Sequence, residues 1–162
     1  MDFIFDDGGR AAAGYKGFTG DCVVRSIAIV TGEPYQKIYD AINNLALNER
    51  RGTRKRGISN ARKGVYKATI RKYMESLGWE WQPTMQIGSG CKVHLMDGEL
   101  PKGRLLVQVS KHVTAVIDGV IHDTHDPQRA TYWYDRDGKT THVSHRCVYG
   151  YFQKRGTCSW RL

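Results

Sequence analysis

The dipeptide Asp118-Gly119 stands between His112-Val113-Thr114-Ala115-Val116-Ile117 and Val120-Ile121-His122-Asp123-Thr124. No other feature constrains the fold as strongly. An Asp-Gly pair supplies the positive φ angles that a two-residue hairpin loop requires, and β-branched flanks favour extended strands. The register then follows: Ile117 pairs with Val120, Thr114 with Asp123 and His112 with His125. Side chains alternate along a strand, so His112, Thr114, Asp123 and His125 share one face. Asp123 becomes the diagonal neighbour of His112, within reach of its ring.

The rest of the second half also reads as strand. Trp79-Glu80-Trp81, Leu105 to Val109, Thr131 to Tyr134 and Arg146 to Phe152 are rich in aromatic and β-branched residues. The first half has helical periodicity instead. Asp21 to Val30 is an apolar run that Thr31-Gly32 stops. Glu33-Pro34 opens a second helix, with Tyr35, Ile38, Ile42 and Leu45 on one face. Val65 to Leu77 carries Tyr66, Ile70, Tyr73, Met74 and Leu77 on an apolar face, with Lys63, Lys67 and Arg71 as a basic stripe, and Gly78 ends it. Residues 1–20 are Gly-rich and irregular. Helices first and antiparallel strands after predict an α+β domain, and 162 residues suit one domain, 1–162.

Cys22 follows the turn-forming Thr19-Gly20-Asp21 and opens the first helix. Free N–H groups at a helix N-terminus favour the thiolate, which is the nucleophilic form. The chain order Cys22, His112, Asp123 is that of a thiol hydrolase: nucleophile, general base and acid, and the group that orients the imidazole. Asp126 is a reserve for the orienting role. An apolar helix also buries structural cysteines, so packing is the plainer alternative for Cys22 taken alone.

A net charge of +9 comes from one segment. Arg50, Arg51, Arg54, Lys55, Arg56, Arg62, Lys63, Lys67, Arg71 and Lys72 fall within residues 50–73 without an acidic residue among them. Removing these ten from 25 basic residues leaves fifteen against 16 acidic ones, a net of −1. Such a segment suits sequence-neutral nucleic-acid binding, an acidic protein partner or a solvated face. No RNA-recognition, zinc-finger or helix-turn-helix signature accompanies it.

No apolar run reaches the roughly 18 residues of a membrane span, and Met1 to Arg10 does not read as a secretory signal. The expected location is the cytosol, where Cys22, Cys91, Cys147 and Cys158 stay reduced. Cys91 with His94, His122 with His125, and His145 with Cys147 lack the spacing of a zinc site. No metal and no cofactor are expected. Gly88-Ser89-Gly90 lacks phosphate-loop spacing and reads as a turn. The tryptophans read as core and rim residues.

The stretches Gly20-Asp21-Cys22-Val23-Val24-Arg25-Ser26-Ile27-Ala28 and His112 to Thr124 resemble small papain-like proteins of bacteriophage and bacterial genomes. Their outline is similar to the C39-like bacteriocin-processing peptidases. Leu77-Gly78-Trp79-Glu80-Trp81 looks typical of the phage group, and the resemblance covers most of residues 15–152. It implies a papain-like fold, with Cys22 on a central helix and His112 and Asp123 on the sheet. It also implies cleavage of a peptide, isopeptide or related amide bond in a peptide or protein substrate, in a host cytoplasm or in association with a virion. Papain-like enzymes usually place a glutamine six residues before the cysteine as an oxyanion donor; Lys16 stands there. The alternative is a catalytically silent scaffold that binds nucleic acid or an acidic partner through residues 50–73.

Overall fold

The computed structural model describes residues 1–51 and 57–156. Arg54, Lys55, Arg56 and Cys158 lie outside the described residues. The chain is α+β, as the periodicity predicts. Among the described residues there are three helices, α1 (Cys22–Thr31), α2 (Tyr35–Ala46) and α3 (Lys67–Ser76). The strands are β1 (Asp2–Phe5), β2 (Trp79–Pro83), β3 (Arg104–Val109), β4 (His112–Ile117), β5 (Val120–Asp123), β6 (Ala130–Tyr134), β7 (Thr140–His145) and β8 (Val148–Lys154).

Six strands form one sheet in the order β1-β5-β4-β3-β8-β2. The β4–β5 hairpin has the expected register, with Ile117 opposite Val120, Val116 opposite Ile121 and Ala115 opposite His122. Asp118 and Gly119 both take positive φ, 51° and 88°. A wholly antiparallel sheet is not what forms. β1 lies parallel to β5, so the sheet is mixed and its first strand precedes the helices. Residues 2–5 are all exposed at the sheet edge, so no buried–exposed alternation marks them as a strand. β7 also falls outside the expected strands; it pairs with β6 as a separate two-stranded ribbon, and Trp133 on that ribbon is exposed.

Both sheet faces are covered. α1, α2 and α3 contribute Val24, Ile27, Ile38, Ile42, Ile70 and Met74 to one apolar cluster, against Leu106, Val113, Ala115 and Phe152 of the sheet. Leu105, Val107, Val109, Val116 and Ile121 form a second cluster with Leu95 and Val148. Successive β3 residues therefore serve opposite cores, as the period of two requires. Every residue of α1 from Val23 to Val30 is buried. The helix ends at Gly32, whose φ of 73° accommodates a left-handed cap and whose N–H bonds the Ala28 carbonyl.

The cysteines correct the expectation of reduced thiols. Cys91 and Cys147 are joined in a disulfide. The Leu95 N–H bonds the Arg146 carbonyl at 2.8 Å and the Val148 N–H bonds the Val93 carbonyl at 2.9 Å. These bonds run segment 93–95 beside 146–148 and bring the two sulfurs together, which the spacing in sequence does not reveal. The pairing is the opposite of what the cytosolic expectation implied for these two thiols. No described helix is long and apolar enough to cross a membrane.

Candidate active site

Cys22 is the first residue of α1, and Asp21 before it provides no side-chain cap. The N–H groups of the first helical turn are therefore not occupied by a capping side chain. Gly20 allows the loop to approach closely here: a Cβ at that position would lie 3.0 Å from the Lys63 carbonyl oxygen. The Ser26 hydroxyl, one turn along, donates to the Val113 carbonyl at 3.1 Å and fastens the helix to β4. This sets the thiol against His112 at the start of that strand.

The three residues expected to act together are together. His112 Nε2 lies 2.7 Å from Asp123 Oδ2, which leaves Nδ1 for the Cys22 thiol, to which the ring is hydrogen-bonded. Cys22 is half-buried, and among the described residues it is the cysteine that remains free. Burial pushes its thiol up, but the hydrogen bond and charge of His112, with Val113 and Arg25, outweigh that; the net direction is down. Burial likewise pulls His112 down, while Asp123 and Cys22 raise it to about 9. Asp123 is desolvated, which works against its charge, yet His112 holds it below the ordinary carboxylate range. At neutral pH these directions favour thiolate, imidazolium and carboxylate in a row.

Behind this row lies a network that the sequence reading missed. Arg25, one turn after Cys22, sits with Nη1 3.8 Å from Asp123 Oδ1 and Nε 3.1 Å from Asp21 Oδ1. It also donates to the Thr124 hydroxyl. Asp21 is 2 % exposed, pairs with Arg10 at 3.0 Å and accepts the Tyr35 hydroxyl at 2.7 Å. Burial first, then Asp21, drives the Tyr35 phenol well above its usual range. The available signal was one cation inside an otherwise apolar helix, since a charge in such a place needs a partner. One helix thus carries both Cys22 and the cation that faces Asp123.

Other expectations separate from the site. Asp126 is exposed and accepts the Gln128 N–H, away from His112. Lys16 is exposed and does not line the cleft. Thr19 does line it, and its hydroxyl has no hydrogen-bond partner. His125 places its ring 4.9 Å from that of His112. Ligand atoms of His112, Asp123 and His125 lie within 4.8 Å of one another. Among the described residues these are the ones whose donors could hold a divalent ion, which would occupy the groups that join His112 to Asp123.

The basic residues divide. Lys63 and Lys67 line the cleft of about 450 Å³ that contains Cys22 and His112. Lys67, Arg71 and Lys72 line an adjoining groove of about 710 Å³. Arg62 bonds the Lys16 carbonyl at 3.3 Å, and Arg50 and Arg51 are exposed beyond α2. No protein-family model, curated protein or solved structure matches the chain.

Proposed function

We propose that the chain is a papain-like thiol hydrolase that cleaves an amide bond in a peptide or protein substrate. The observation that carries this reading is the contact of His112 with both Asp123 and the Cys22 thiol at a helix N-terminus. Cys22 Sγ attacks the carbonyl carbon, and the electron pair moves to the oxygen. The Cys22 N–H at the start of α1 and the unengaged Thr19 hydroxyl are the donors proposed for that oxyanion, in place of the glutamine that Lys16 replaces. His112 gives its proton to the departing amine, leaving a thioester on Cys22. It then takes a proton from the water that attacks the thioester, and returns that proton to Cys22 as the acid product leaves. Asp123 keeps the imidazole oriented and offsets its positive charge throughout.

The test is the rate of Cys22 alkylation by iodoacetamide against pH, followed by mass spectrometry in the parent and in His112→Ala. The expected result is a midpoint well below the free-thiol value of about 8.5 in the parent, returning towards that value in the mutant. Identical midpoints near the free-thiol value would overturn the reading. Cys22→Ala is expected to abolish amide hydrolysis by the purified protein.

A further inference from the structure

The groove beside the cleft has two unlike walls. One is the exposed stripe of α3, which presents Lys67, Arg71 and Lys72. The other is apolar and comes from β2 and the turn after it: Trp81, Met85 and Ile87. Ile87 and Met85 are among the exposed large hydrophobic residues of the protein. The α3 wall holds one acid, Glu75, and it faces Arg71 at 3.6 Å. Among the described residues neither Lys67 nor Lys72 is held in an ion pair. Lys67 instead lies over the Tyr149 ring, 5.4 Å from its centroid.

The groove and the cleft are continuous, because Lys67, Gln108 and Tyr149 line both. A chain lying in the groove runs across Lys67 and Tyr149 to reach Cys22. Its chemistry follows from the walls. Large apolar surface left in water marks a binding site when it is contiguous and rimmed by polar groups. Cations without partners on the facing wall favour carboxylates over neutral or basic side chains. A nucleic acid would be better served by cations on both sides and by open aromatic faces. Here the wall facing α3 carries no cation, and the Trp81 ring is already packed against Phe152, with centroids 4.9 Å apart.

The geometry points to this groove as the substrate-recognition site for an acidic, apolar peptide segment on one side of the bond cleaved at Cys22. The apolar side chain rests on Trp81, Met85 and Ile87, and neighbouring carboxylates face Lys67 and Lys72. This substrate class rests on the thiol-hydrolase reading, but its test does not depend on turnover.

The test uses Cys22→Ala protein and fluorescein-labelled peptides, with affinity read by fluorescence polarisation. The first peptide carries a Leu-Phe pair flanked by Glu residues. The second has Gln for each Glu, and the third has Ser for Leu and Phe. A single-stranded oligothymidylate is the nucleic-acid probe. The first peptide is expected to bind about tenfold or more tighter than each of the others, a gap of roughly 1.4 kcal/mol. Lys67→Glu with Lys72→Glu should abolish the preference for Glu over Gln, and Ile87→Asp should abolish the preference for Leu-Phe over Ser. Equal affinities for the peptides, a Glu preference that survives charge reversal, or tighter binding of the oligothymidylate would each overturn the assignment. The alkylation midpoint of the unmutated protein judges the hydrolase reading separately.

Discussion

The cleft and the groove lie side by side, yet they treat charge in opposite ways. In the network behind Cys22 the buried charges are answered: Arg10 and Arg25 meet Asp21, Arg25 also faces Asp123, and Asp123 holds His112. In the groove Lys67 and Lys72 are in no ion pair among the described residues, Lys67 lying over the Tyr149 ring, and they stand beside apolar side chains that are open. Buried charges are tolerated when neighbours compensate them, and the arrangement then has few ways to move. Exposed cations lose little by staying hydrated and give up that hydration when a partner arrives. On the proposed reading, the cleft holds reacting atoms still and the groove selects what reaches them.

The sharpest way to break the comparison is to remove compensation from the cleft. Arg25→Leu keeps much of the side-chain volume but leaves Asp21 and Asp123 without their shared cation. Arg10 still faces Asp21 and His112 still faces Asp123, so the expected loss is about 1–3 kcal/mol of stability, less than a fully orphaned buried charge would cost. Urea unfolding with an unchanged m-value checks it. Lys72→Met in the groove removes an exposed charge of the same sign and should move stability by less than about 0.5 kcal/mol. If both variants cost the same, the distinction between the two regions fails.

Asp123 gives the next largest effect. Asp123→Ala deprives His112 Nε2 of its acceptor and should lower kcat by about a hundredfold or more. Asp123→Asn should recover part of that loss, because an amide oxygen also accepts from Nε2–H. It supplies no negative charge, so the alkaline limb of the rate profile, expected near 9 for the parent, should move down in both variants. An Asn variant as inactive as the Ala variant would show that charge, not orientation, is what Asp123 contributes. Thr19→Val tests the oxyanion assignment: kcat should fall by about a hundredfold while the Cys22 alkylation midpoint stays in place.

The sequence made the hairpin and the His112–Asp123 pair legible for one physical reason: both depend on local rules. Asp118-Gly119 fixes a turn, a turn fixes a register, and the register brings Asp123 beside His112 without knowledge of the rest of the fold. Cys22 was visible because a turn followed by an apolar run marks a helix start. The parts that stayed hidden depend on contacts between distant segments. β1 is a short exposed strand with a parallel partner 118 positions later in register, Asp2 with Val120. Arg25 meets Asp123 only because α1 crosses β4 and β5. Cys91 meets Cys147 through backbone bonds between 93–95 and 146–148. Periodicity found the basic stripe of α3, but only the fold shows that it faces Trp81, Met85 and Ile87.

The smallest expected effects concern pH and salt, and they separate the two regions most cleanly. His112 is raised in the folded protein to about 9, above its unfolded value of about 6.5. Its contribution to stability is therefore complete below about 6.5 and is lost as pH rises through about 9. The stability gap between the parent and His112→Gln should shrink across that window, as thermal unfolding at a series of pH values would show. Asp123 works in the opposite sense: its folded pKa is depressed, so its contribution is present at neutral pH and is lost as pH falls through that lowered value. Salt should leave both trends nearly intact, since Asp123 is buried and His112 largely so, which limits screening. The Glu-peptide affinity of the groove should weaken between about 50 and 200 mM salt, where the Debye length becomes shorter than about 10 Å. A groove affinity indifferent to salt would assign recognition to the apolar wall alone, and a pH-dependent gap that vanished in salt would place the His112–Asp123 pair in contact with solvent.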